Sequence, residues 1–165
     1  MSCKNNYLPS EIDLNLFSGD IQSYTDTLYK IFHRDFIEQT ITYNNKPVDI
    51  IHEKYYNGKE RSFWHLISDG DEDINRTPHS TRAQFLPFVK PIITDTNKCT
   101  SLKKWIKYYE KTKHYRHFIW CTDVDFIVVL EDRGSYYKLI TAFHVNSHAK
   151  KSYEKSYNNY IKSFL

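Results

Sequence analysis

The chain has 165 residues, enough for one domain with a real core but cramped for two. Its 16% aromatic content, with only 4 glycines and 5 prolines, argues against disorder, collagen-like repeats and loop-rich all-β designs. A net charge of +3 is too mild to imply nucleic-acid binding by itself.

Residues 1–19 read as a loosely ordered entry. Ser18-Gly19-Asp20 offers N-capping chemistry, and Ile21, Tyr24, Leu28, Ile31 and Phe32 recur at helical spacing, which predicts a helix over about 20–33. DFIEQTITY has strand composition, Asn44-Asn45-Lys46 is a turn signal, and PVDIIH follows as a second strand, together a hairpin. Asn57-Gly58 marks another turn, and SFWHLI reads as a third strand. Residues 69–79 are acidic and polar, an exposed loop. STRAQFLPFV reads as a short helical or turn segment stopped by Pro87 and Pro91.

Residues 100–113 read as a basic amphipathic helix with Leu102, Trp105, Ile106 and Tyr109 as its inner stripe. Lys98, Lys103, Lys104, Lys107, Lys111, Lys113 and Arg116, with His114 and His117, cluster there, either as a phosphate-binding face or as a solvated helix surface. HFIWC, DFIVVLE and YYKLITAFHV then form an antiparallel meander with short turns. Tyr153, Tyr157, Tyr160, Ile161 and Phe164 give a C-terminal helix. The expected class is α+β: an N-terminal helix, an antiparallel sheet of five to six strands with packed helices, and a C-terminal helix. It is read as one domain over 1–165, the first helix and strand in 1–45 and the main sheet and helices in 46–165.

Cys3, Cys99 and Cys121 have no metal-ligand spacing, and their odd number argues against a disulfide framework. No apolar run reaches membrane-spanning length and the N-terminus has no signal-like core, so a cytoplasmic, reducing environment is expected. Asp123 and Asp125 frame a tight turn better than a metal pair, and no cofactor or metal is expected. The chain has no glycine-rich phosphate loop and no GxSxG.

The stretch His52–Ser68 holds the densest titratable chemistry. If its two strands pair through Asn57-Gly58, His52 and His65 approach one face, one as base and the other as acid. The bland reading is two structural histidines. Lys54, Arg61, Arg76, Arg82 and Arg116 are candidate phosphate groups. Arg82 and Arg116 stand out because apolar neighbours imply partial burial, and a partly buried arginine needs an anion. Thr141 sits mid-strand, where its hydroxyl must find either a backbone partner or a phosphate to orient. Strict alternation puts it with Tyr137, Leu139 and Phe143, and puts His144 on the other face unless a bulge intervenes.

Several segments together carry a resemblance: His52-Glu53-Lys54, Phe63 through Ser68, Arg82, Trp105, Arg116 through Trp120, and Tyr136 through Phe143. Over residues 52–148 the chain resembles the phage- and mobile-element-borne members of the barnase–EndoU–colicin–RelE nuclease superfamily. That resemblance implies a helical segment before an antiparallel sheet whose concave face binds RNA. It also implies metal-independent cleavage, in which a base takes the ribose 2′-hydroxyl proton, that oxygen attacks phosphorus, and an acid protonates the leaving 5′-oxygen. On it, His52 and His65 supply base and acid. Lys54, Arg61, Arg82 and Arg116 meet the phosphate, Thr141 orients it, and Tyr137 stacks on a base. The function expected is a metal-independent endoribonuclease, a toxin or phage effector acting on tRNA or another structured RNA, with an antitoxin or immunity protein as its partner class. The alternative is a non-catalytic RNA- or protein-binding module of a mobile element.

Overall fold

The computed structural model describes residues 7–69, 78, 80–94 and 99–165, and it shows an α+β chain built on one six-stranded sheet. Helix α1 spans Ile21–Phe36, with the Asp20 carboxylate accepting from the Ser23 amide at 3.1 Å as N-cap. It outruns the expected 20–33 because Phe36 falls on the same buried stripe as Leu28 and Phe32. The strand expected in DFIEQTITY is correspondingly short. β1 is Ile41–Tyr43 and pairs antiparallel with β2, Lys46–Asp49. Asn44 and Asn45 both take positive φ, 48° and 62°, the backbone a two-residue hairpin turn demands.

SFWHLI is a helix, not a strand: α2 spans Arg61–Ile67. Phe63, Trp64, Leu66 and Ile67 are all buried, a three-and-four spacing that an apolar run this short shares with a buried strand. Asn57-Gly58 does reverse the chain, bringing Lys54 and Glu60 into an isolated bridge, but β2 ends at Asp49, so His52 also lies outside the strand expected over PVDIIH. α3, Ser80–Ala83, and α4, Val89–Thr94, follow. Pro91 stands in the first turn of α4, where a helix needs no amide donor, so it does not stop the chain as expected. The expected acidic loop lies outside the described residues apart from exposed Asp69 and residue 78.

The second misreading is larger. Residues 102–109 form strand β3, Leu102–Tyr109, not a basic helix. β3 pairs along its whole length with β4, His114–Cys121, from Leu102 opposite Cys121 to Tyr109 opposite His114. The stripe at 102, 105, 106 and 109 fits a helix, but pairing with β4 decides the outcome. Trp105 turns inward while Lys107 and Ile106 stay exposed on an edge strand, and charged edges resist further strand pairing.

The meander runs as expected: β4, then β5 (Phe126–Asp132), then β6 (Tyr137–His144), all antiparallel. The full order is β1-β2-β6-β5-β4-β3. One junction departs from the antiparallel expectation. β2 meets β6 in parallel, through Val48 opposite Tyr137 and Asp49 opposite Lys138, because the helical crossover delivers the N-terminal hairpin to the outer edge of the meander. α1, α2 and α4 pack on one face around Leu28, Phe63, Ile92, Ile119 and Leu130. The other face is covered by α5, Ser147–Lys162, whose Ala149, Tyr153, Tyr157 and Tyr160 pack on Trp105, Phe118, Trp120 and Phe143.

Cys99 is disulfide-bonded and its partner is not among the described residues, while Cys121 is a free, buried thiol. An odd count allows one bond and one thiol, which is a single bridge and not a disulfide framework. That bridge removes the cysteine argument for a reducing compartment. No helix among the described residues is long and apolar enough to cross a membrane.

Candidate functional site

β6 is irregular where it matters. Its pairing with β5 shifts between Val129 and Leu130: Val129 faces Thr141, but Leu130 faces Leu139, leaving Ile140 bulged. Strict alternation fails at that point. Tyr137 and Leu139 stay with the core under α1 and α2, while Thr141 joins Val129 and Phe143 beneath α5. Beyond Lys138, β2 no longer pairs with β6.

Arg82 of α3 fills that edge. Its Nη1 donates to the Ser68 carbonyl at 2.8 Å and its Nη2 donates to Thr141 Oγ1 at 2.8 Å. Ser68 is the C-cap of α2, so one guanidinium ties a helix end to the sheet. The side chain is 17% exposed, as its apolar neighbours implied, and its remaining counter-charge is Asp69 at 3.1 Å, which is mostly in solvent. Burial pulls the Arg82 pKa down and Asp69 pulls against it.

Thr141 also lines a hollow of about 340 Å³ between the sheet and α5. Lys107, Tyr109 and Arg116 give it cations and a phenol; Ser152 and Ser156 of α5 add hydroxyls. Arg116 is held from two sides. Its guanidinium lies over the Tyr109 ring at 4.3 Å, and its Nε donates to Glu131 Oε2 at 2.8 Å. Glu131 has no exposed side-chain surface, and its other oxygen accepts from Arg133 Nε at 2.8 Å. Burial pushes the Glu131 pKa up, but hydrogen bonds from Arg116 and Arg133 outweigh it and leave it lowered. With both oxygens engaged, Glu131 positions guanidinium groups and is no free base.

The other expected residues divide. His65 is half-buried on α2, three residues before Ser68, whose backbone carbonyl accepts from Arg82. His52 is elsewhere. Its Nε2 is 2.7 Å from Asp49 Oδ1, and it lines a separate hollow with Pro47, Asp49 and Tyr136. The expected His52–His65 pair rested on two adjacent strands, and the second of these is a helix. Lys54 pairs with Glu60, which also accepts from Tyr29 at 2.9 Å, so its charge is committed. Arg61 is likewise occupied, by Glu53 at 3.0 Å and by the Tyr55 ring at 4.6 Å. Tyr137 is 3% exposed between Tyr43 and His117, so base stacking by it is excluded; its position before the bulge puts it in the core. His144 stacks on Phe85 at 5.4 Å, on the face opposite Thr141 despite the bulge. Arg76 and Lys98 lie outside the described residues. Asp125 stands in the β4–β5 turn with φ 47° and pairs with Lys150, as a turn residue would.

Sequence reasoning missed Tyr109 and Glu131 as site residues and put Lys107 on a helix. A signal existed for Glu131: closing the hairpin at residues 122–125 sets Cys121 opposite Phe126, and counting outward sets Arg116 opposite Glu131. Lys107 and Tyr109 were hidden by the helical reading of β3. Among the described residues no group of three or more His, Cys, Asp or Glu side chains is placed to hold a metal ion. No family model, curated protein or solved structure matches the chain.

Proposed function

We propose that the chain is a metal-independent endoribonuclease that docks a phosphodiester where Thr141 and Arg116 line the hollow under α5 and Arg82 is bonded to Thr141. The observation that carries this reading is the Arg82 guanidinium, fixed between a helix-end carbonyl and the Thr141 hydroxyl and paired with the solvent-facing Asp69 carboxylate. A rigid, half-buried arginine is suited to grip two phosphoryl oxygens. In the proposed step the ribose 2′-hydroxyl loses its proton, its oxygen bonds to phosphorus, and the P–O5′ bond breaks as O5′ gains a proton. The products are a 2′,3′-cyclic phosphate and a free 5′-hydroxyl. Arg82 and Arg116 stabilise the added charge on phosphorus, Thr141 orients the phosphate, and His65 handles one of the two protons. Lys107 and Tyr109 are the titratable groups facing it from the sheet side of the hollow.

Membership of the barnase–EndoU–colicin–RelE superfamily is part of this proposal, and the β4–β6 meander carrying Arg116 and Thr141 supports it. So are a structured RNA such as tRNA as substrate, the cytoplasm as the place of action, and an antitoxin or immunity protein as the restraining partner. One observation favours the alternative of a non-catalytic RNA-binding module: His65 stands on a helix and not on a strand paired with that of His52, which removes the basis of the expected acid–base pair. An RNA with a single 2′-deoxy sugar at the cleaved position separates the two. A nuclease of this kind binds it and leaves it intact while cutting the all-ribose strand, whereas a binding module leaves both intact.

A further inference from the structure

The sheet curls enough for Tyr43 of β1 to meet His117 of β4 edge-on, ring centroids 5.8 Å apart, although β2, β6 and β5 stand between them in strand order. The curl makes a hollow of about 180 Å³ that has Trp105 in common with the one under Arg116 and is otherwise lined by Tyr43, Asn44, Lys104, Ile106, His117 and Tyr160. Lys104 and His117 share one face of the β3–β4 pair, since Lys104 is opposite Ile119 and Ile106 is opposite His117. They are diagonal neighbours, close enough for one small ligand to reach both.

The charge here is unbalanced. Asp132 is engaged by Lys46 at 3.5 Å and by the Gly134 amide at 2.8 Å, so that pair cancels. Lys104 is half-buried, and among the described residues no carboxylate pairs with it. Burial alone lowers its pKa. Burial also lowers that of His117; Asp132 opposes the shift and Lys46 adds to it. One lysine without a counter-ion thus shares a small concavity with the amide of Asn44, the phenols of Tyr43 and Tyr160, and an imidazole.

We propose that this hollow is a second ligand site that binds a phosphate group, as inorganic phosphate or as a phosphate monoester, with Lys104 as its cation and Asn44, Tyr43 and His117 as hydrogen-bond partners. A phosphate monoester presents three terminal oxygens, which one ammonium and several neutral donors can share. The ligand is either free phosphate or the terminal phosphate of a nucleotide. The inference does not rest on RNA cleavage, and it uses none of Arg82, Arg116, Thr141 or His65.

The test is NMR titration of the ¹⁵N-labelled full chain with inorganic phosphate and, separately, with adenosine 5′-monophosphate. The His117 ring and Asn44 side-chain signals should shift saturably. Lys104→Met, which keeps the apolar stem, should weaken binding about tenfold or more, as expected for loss of a charged hydrogen bond. Lys111→Met in the β3–β4 turn should not weaken it. Equal affinity for both probes identifies free phosphate, and tighter nucleotide binding identifies a nucleotide's terminal phosphate. No saturable shift with either probe, or the same affinity in a folded Lys104→Met protein, overturns the proposal.

Discussion

Arg82 Nη2 donates to Thr141 Oγ1 at 2.8 Å, a bond that closes 59 residues of chain and fastens α3 to the bulged part of β6. Thr141→Val keeps the shape and removes the acceptor, leaving a half-buried guanidinium short of one partner. We expect a loss of about 1–3 kcal/mol in urea unfolding, with Thr141→Ser recovering most of it. RNA affinity should fall with the valine and return with the serine. A valine variant as stable as the parent would mean the bond contributes little to the fold.

Glu131 gives a prediction with a sign. Its folded pKa lies below the unfolded value, because the bonds from Arg116 and Arg133 outweigh burial. Its contribution is therefore fully present above an unfolded carboxyl pKa of about 4.3, and is lost as pH falls through the lower folded value. Glu131→Gln should cost about 3–5 kcal/mol at neutral pH, since two guanidinium groups lose their shared anion. The gap between variant and parent should narrow as pH drops below 4, followed by chemical denaturation at each pH. A gap that widens on acidification contradicts the assignment.

Lys107 lines the hollow without an ion pair among the described residues. If the hollow holds a phosphodiester, Lys107→Met should weaken RNA binding at low salt. The slope of log affinity against log salt should become shallower by about 0.7, the single-strand value for one released counter-ion. An unchanged slope places Lys107 outside the RNA footprint.

Much of this fold was readable from the chain alone, and the failures have one physical origin. The three meander strands, the Asn44-Asn45 turn, α1 and α5 are regular in period and bounded by turn residues, so local signals decide them. SFWHLI and residues 102–109 carry spacings that a helix and a strand both satisfy. Tertiary contacts settle them in opposite directions, α2 against the buried core and β3 against β4. Those two reversals propagate into the site. Making SFWHLI a helix separates His52 from His65, and making residues 102–109 a strand turns a solvated basic helix into the wall that carries Lys107 and Tyr109. The partial burial of Arg82 and Arg116 was legible because apolar neighbours in sequence are a local fact. The bulge at Ile140 was not, because the period-two rule gives no notice of the residue that breaks it, and Tyr137 and Thr141 were assigned to one face for that reason.

The most direct measurement is incubation of a structured RNA with the full chain in EDTA, with end-group analysis of the products, for the parent, His65→Ala, His52→Ala and Arg82→Ala. His52 lies in its own hollow, and His65 lies on α2, whose C-cap carbonyl accepts from Arg82. The account predicts fragments ending in 2′,3′-cyclic phosphate from the parent and from His52→Ala, with cleavage lost in folded His65→Ala and Arg82→Ala. Intact RNA at high parent concentration, or cleavage that survives His65→Ala and fails with His52→Ala, contradicts it.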